Sequence, residues 1–181
     1  MDPGRLPEAS PGLSSVQAVG LLIPAGFPGE AWLDSLVNYL TNQGLTVGVL
    51  LWGAGDKLAD DRKDTGRFRE AGAVATALAA PGLLQMTMAT AASLAIEEAL
   101  AHLGPDLDLV VVVVGTRPFP LPYILLGEPG TAVSQGDDPQ LLAVVTEAGQ
   151  IGTAPTFPPA DFKGLANLLR PWLSQRLARN P

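Results

Sequence analysis

The chain has 181 residues, enough for one domain with short extensions, and its 47 % hydrophobic and 16 % charged residues exclude disorder for the bulk of it. The absence of cysteine removes disulfides, thiolate metal sites and cysteine nucleophiles, and a lone histidine, His102, removes multi-histidine metal cages. A formal net charge of −7 excludes a general nucleic-acid binder, because nothing would neutralise a run of phosphates.

In chain order, residues 1–15 carry prolines and glycines without hydrophobic periodicity and are predicted to be a disordered leader. Residues 16–181 form the predicted single domain. Val16–Ile23 suits a buried strand that stops at Pro24. Short, interrupted by proline and poorly flanked, the Val19–Phe27 stretch makes a poor export signal. After a glycine turn, Trp32, Leu33, Leu36, Val37 and Leu40 form one stripe of a helix from Glu30 to Gln43, with Gly44 as its stop. Leu45–Trp52 is the next predicted strand, which makes a unit of βαβ size.

The stretch from Gly53 to Glu70 is dense in both signs of charge, and Asp64–Ala71 could start a short helix. Val74–Ala80 and Leu83–Met88 read as strands divided by Pro81-Gly82. Thr90 heads a predicted helix through Leu103, closed by Gly104-Pro105. The valine-rich run Leu109–Val114 lacks alternation, as expected in the middle of a parallel sheet. It is also far too short for a membrane-spanning helix, which needs roughly 20 residues. Phe119–Leu126, with prolines close by, is predicted as an edge strand or arm. Leu141–Thr146 supplies a last strand, and Asp161–Leu177 a last helix, expected to break at Pro171. Strands alternate with helices, so the fold class is α/β. No membrane segment and no export signal leave the cytoplasm as the expected location.

A strand, a glycine turn and a helix N-terminus together make the geometry of an anion site. A working phosphate loop also needs a lysine and a hydroxyl. Here the turn reads Pro24-Ala25-Gly26-Phe27-Pro28-Gly29-Glu30-Ala31 and has neither. Pro28 removes one N–H, and Glu30 sets a negative charge where phosphate would sit. Glu30 is equally an ordinary first-turn acid, favoured by the helix dipole. The charges at Asp60-Asp61-Arg62-Lys63-Asp64 suit either a ligand site or a solvated loop. His102 falls near a helix C-terminus, where its imidazolium would be favoured. Glu97-Glu98 and Asp106/Asp108 suit a solvated face better than a carboxylate dyad, which needs a shared pocket. The usual equipment for catalysis is missing, and no catalytic residue or metal ligand is assigned.

The order of these motifs resembles the molybdopterin-guanine dinucleotide biosynthesis accessory protein (MobB) family of small P-loop GTP-binding proteins. Gly44-Leu45-Thr46-Val47-Gly48-Val49-Leu50 is similar to the family's second strand. The segment from Arg62 to Ala73 (RKDTGRFREAGA) resembles its G-K-D-S-x-R-x-R-x-A-G-A stretch. Leu107-Asp108-Leu109 through Arg117 is similar to its Walker B strand, D-L-I-x-V-E-G-F/Y-K. The likeness covers roughly residues 16–178, and it implies a three-layer P-loop NTPase-like domain with a mostly parallel sheet and a β-arm.

The same resemblance implies nucleotide-binding positions at Gly26, Phe27, Pro28, Gly29, Glu30 and Ala31, all degenerate. Gly29 falls at the family's lysine, Glu30 and Ala31 at its two threonines, and Val114 at its Walker B acid. The family's histidine patch falls on Leu51-Trp52-Gly53-Ala54, without a histidine. Lys63, Asp64, Arg67, Arg69 and Arg117 are the candidates for an anion, a pterin phosphate or a partner's carboxylates. Lys63 and Arg67 would share a helix face, although Asp64 and Glu70 could neutralise the cluster in weak surface pairs.

By resemblance alone, GTP with Mg²⁺ and molybdopterin are the implied ligands. A homodimer, with Arg117–Leu126 as a strand-exchange element, and a guanylyltransferase or molybdoenzyme are the implied partners. The expected role is an accessory or adaptor protein in making or delivering the guanine dinucleotide cofactor, without GTP hydrolysis. The losses leave its status as an enzyme open and weigh against one. Two other readings stay open: an active GTP-binding protein with a non-standard phosphate loop, in which Lys57 or Lys63 replaces the missing lysine, and a structural pseudo-NTPase interaction domain outside the pathway.

Overall fold

The structure is a computed structural model that describes residues 17–24, 29–52, 68, 71–88, 95–103, 106–114, 120–127, 138–149 and 152–177. The chain divides into two compact units, Ala54–Ala95 and the remainder.

The larger unit is built on a six-stranded sheet. Its strands are β1 (Ala18–Leu22), β2 (Val47–Trp52), β5 (Leu109–Val114), β6 (Tyr123–Leu126), β7 (Leu141–Val145) and β8 (Thr156–Phe157), in the order β2-β5-β1-β6-β7-β8. Every pairing in it is parallel. Among the described residues three helices accompany the sheet: α1 (Gly29–Asn42), α2 (Ile96–His102) and α3 (Phe162–Leu177). Alternate strand residues face opposite layers. Ala18, Leu22, Val110, Val112, Val114, Tyr123 and Leu125 pack with Ile96 and Leu100 of α2. Val19, Leu21, Val111, Ile124 and Leu126 pack with Trp32, Leu36 and Leu40 of α1 and Leu165 and Leu169 of α3. The result is a three-layer α/β domain with a mostly parallel sheet, as the sequence predicts.

Each helix ends for a local reason. At the C-terminus of α1, Gly44 takes φ +83°, which costs a glycine little. Gly44 N–H then donates to Thr41 O at 2.9 Å and Leu45 N–H to Leu40 O at 3.3 Å, a Schellman closure. At the N-terminus of α3, Asp161 Oδ1 accepts from Gly164 N–H at 2.8 Å. In α2, Glu97 and Glu98 occupy the first turn and His102 the last, which matches the helix dipole. Phe162 meets Trp32 and Tyr39 at ring-centroid distances of 5.6 and 6.2 Å, and Trp32 Nε1 donates to Pro159 O at 2.8 Å, tying α3 to α1.

Three local expectations need correction. Phe119–Leu126 is neither edge nor arm in its strand portion, because Tyr123–Leu126 lies between β1 and β7 and is fully buried. The prolines precede the ladder instead of interrupting it. Pro122, which has no N–H to give, still accepts from Gly20 N–H at 2.8 Å. That placement also removes Tyr123–Leu126 from the proposed strand-exchange segment. Second, α3 continues through Pro171. Proline's φ is helical, and the carbonyl left without a donor belongs to Asn167, an exposed residue. Third, β8 follows β7 as a two-residue strand, too short to carry a periodic signal.

A register shift between Tyr123 and Ile124 lets Leu142 and Ala143 of β7 face the same layer. At the opposite edge of the sheet, Thr46 and Asp108 clasp the starts of β2 and β5. Asp108 Oδ2 accepts from Thr46 N–H at 2.8 Å and from its hydroxyl at 2.7 Å, while Asp108 N–H donates to Thr46 Oγ1 at 3.0 Å. Asp108 thus serves a structural bond.

The smaller unit contains an antiparallel hairpin of β3 (Ala75–Ala80) and β4 (Leu83–Met88). Pro81-Gly82 turns it, with Gly82 at φ +75°. Leu83, Leu84, Met86 and Met88 of β4 are all exposed.

Candidate functional site

In a parallel sheet all strands end at one edge, and ligands bind where neighbouring connections leave in opposite directions. Here β1 leads to β2, beyond β5, and β5 leads to β6, beyond β1, so the crevice falls between the ends of β1 and β5. Leu22, Val114 and Trp52 stand in register there. Ile23, one residue past β1, continues the ladder by donating its N–H to Val114 O at 3.3 Å. α1 begins at Gly29, so a strand end and a helix N-terminus flank the expected turn, whose residues 25–28 lie outside the described residues.

The described side chains at the ends of β1, β2 and β5 are apolar. Val114, which the resemblance sets at the Walker B acid, is buried with 2 % of its surface exposed and packs in the core beside α2. Gly29 opens α1 and is buried. A Cβ added at Gly29 would lie 2.6 Å from Cγ2 and 2.7 Å from Cδ1 of Ile23. No longer side chain enters that position unless Ile23 moves. Glu30 follows in the first turn of α1, and Ala31 is exposed. Gly29, Ala31 and Val114 carry no ammonium, hydroxyl or carboxylate. These positions therefore do not fit a magnesium-bound triphosphate, which requires all three. Thr146 follows β7, and its hydroxyl accepts from Ala148 N–H at 3.2 Å.

Of the sequence-predicted site residues, Gly29, Glu30 and Ala31 come together in the first turn of α1. Gly26, Phe27 and Pro28 lie outside the described residues, as do Lys63, Asp64, Arg67, Arg69 and Arg117. Within the expected Asp64–Ala71 helix, Phe68 is helical and its carbonyl accepts from Ala73 N–H at 3.0 Å. His102 is exposed at the last turn of α2. Among the described residues no group of three His, Asp or Glu could hold a metal, and no described helix is long and apolar enough to cross a membrane.

Sequence reasoning passed over Ile23. The signal was present: with Gly29 at the lysine of G-x-x-x-x-G-K-S/T, the first glycine of the motif falls on position 23.

Comparison with known proteins agrees with this fold. The family model "Molybdopterin guanine dinucleotide synthesis protein B" matches residues 30–147, more than half of the chain. Three solved structures share the fold. A molybdopterin-guanine biosynthesis protein B is 17 % identical, with a TM-score of 0.64, over 87 % of this chain and 99 % of its own. The MobB homologue of Bacillus stearothermophilus is 20 % identical, with a TM-score of 0.61, over 90 % and 99 %. Bacillus subtilis MobB is 18 % identical, with a TM-score of 0.66, over 85 % and 96 %. No curated protein matches the chain.

Proposed function

The chain belongs to the molybdopterin guanine dinucleotide synthesis protein B family, and from that premise we propose that it is an accessory protein of molybdenum cofactor biosynthesis or delivery that works by binding and does not hydrolyse GTP. One observation carries the second half of this proposal: Gly29, at the lysine position of the phosphate loop, is buried against Ile23. Glu30 next to it and Val114 at the tip of β5 support the same view. Without an ammonium and a metal ligand, the charge of a triphosphate would go uncompensated beside a carboxylate-bearing residue.

Lys63, Asp64, Arg67, Arg69 and Arg117 are the proposed candidates for an anion-binding role, whose ligand would be a pterin phosphate or carboxylates of a partner protein. The partner is a guanylyltransferase or a molybdoenzyme in the cytoplasm. A homodimer is part of the proposal, supported by the exposed Leu83, Leu84, Met86 and Met88 on the β3–β4 hairpin.

The direct test is phosphate release from GTP by the purified protein with Mg²⁺, alone and with a guanylyltransferase present. The expected result is no release above the protein-free rate in either case. Steady turnover by the protein alone would contradict the proposal. For the anion-binding role, Lys63→Ala combined with Arg67→Ala should weaken cofactor or partner binding while leaving the unfolding midpoint unchanged. Unaltered binding would return that segment to ordinary charged surface.

A further inference from the structure

A glycine at the start of a phosphate loop lets backbone N–H groups close around the phosphates. The present chain has a β-branched isoleucine there. Ile23 is half-buried against the layer that holds α1 and α3, and its backbone is held by Val114 O at 3.3 Å. Its Cγ2 and Cδ1 lie 2.6 and 2.7 Å from the place a Cβ on Gly29 would take, and its Cγ1 lies at 3.2 Å. Cδ1 could swing aside by one rotation. Cγ2 is attached to Cβ and moves only with χ1, the torsion that β-branched side chains hold most stiffly. The isoleucine therefore fills the place that a side chain on Gly29 would take and presents carbon to it. A lysine at position 29 would have to displace Ile23 before its ammonium could reach a phosphate.

We infer that Ile23 is the specificity-determining residue of this edge: its side chain occupies the place of any side chain at position 29, so that no phosphate-binding group can be presented from that position while Ile23 stays. This rests on the reading of the chain as a non-hydrolysing accessory protein and adds the residue that enforces it.

The test compares Gly29→Lys/Glu30→Thr with Ile23→Gly/Gly29→Lys/Glu30→Thr, titrated calorimetrically with pyrophosphate and with GDP in the presence of Mg²⁺. The triple variant is expected to bind pyrophosphate at least tenfold more tightly than the double variant. Equal affinity in two variants with native circular dichroism would overturn the inference. Should either variant fail to fold, Gly29→Ala and Ile23→Ala/Gly29→Ala carry the same question. Gly29→Ala is expected to lower Tm, and the added Ile23→Ala to restore part of it. A purely additive loss would overturn the inference. GTP turnover by the unmodified protein in the same assay separates the two claims: turnover defeats the accessory reading, whereas an inert parent with no gain in the triple variant defeats Ile23 alone.

Discussion

Two glycines mark the ends of α1 and are required for different physical reasons. Gly29 has no space for a methyl group, since Ile23 already occupies it. Gly44 has open space around it but a φ of +83°. Gly29→Ala should therefore cost about 1–3 kcal/mol by overpacking, and Gly44→Ala about 1 kcal/mol by backbone strain alone. Urea denaturation of both variants separates the mechanisms, because Ile23→Ala should rescue the first and leave the second unchanged. Glu30→Lys, in the first turn of a helix, should keep the fold and create no GTPase activity, which phosphate release would check. Robust turnover from that one change would mean that the other losses are not losses. At the far edge, Thr46→Ala removes the hydroxyl's bonds to Asp108 Oδ2 and N–H, while the backbone N–H and carbonyl at position 46 keep theirs to the same residue. Thr46 is exposed, so water compensates in part, and the expected cost is about 1 kcal/mol.

Elements differ in how far the chain's own pattern declares them. Leu109–Val114 is apolar throughout because β5 is covered on both faces, and a continuous run is what such a strand must show. The stripe of α1 and its glycine stop are equally explicit. Tyr123–Leu126 was obscured because Pro118, Pro120 and Pro122 suggest an edge, while the strand begins one residue after the last of them. Nothing local tells a reader that a proline carbonyl still serves the ladder. Much of the candidate site is legible for a plain reason: a strand, a glycine turn and a helix fix where the edge lies. The Ile23–Gly29 contact was not legible as a contact, because it depends on how α1 packs against the end of β1. Burial separates β6 from the edge strand quantitatively. Leu125→Ala, at a fully buried position, should cost about 2–5 kcal/mol. Leu51→Ala in β2, where the side chain is 62 % exposed, should stay within about 0.5 kcal/mol. Thermal and urea unfolding of the pair would show the contrast, and equal losses would mean that β6 is not interior.

For the molecule as a whole, the fold is shared with molybdopterin-guanine biosynthesis proteins B, while the described side chains at the ends of β1, β2 and β5 are apolar. The sheet and its helices accommodate them because Val114 and Ile23 contribute to the same packing that stabilises β1 and β5. The β3–β4 hairpin carries its own consequence at this scale. Leu84→Lys with Met86→Lys places charge on exposed apolar positions and should leave the unfolding midpoint of the larger unit unchanged. Light scattering should show a dimer for the parent and a monomer for the variant, and a dimer in both would exclude the hairpin from the interface. The central claim is that this edge holds no nucleotide. Calorimetric titration of the purified protein with GTP, with and without Mg²⁺, tests it most directly. No heat of binding up to millimolar nucleotide is the predicted result, and tight, Mg²⁺-dependent binding would contradict it.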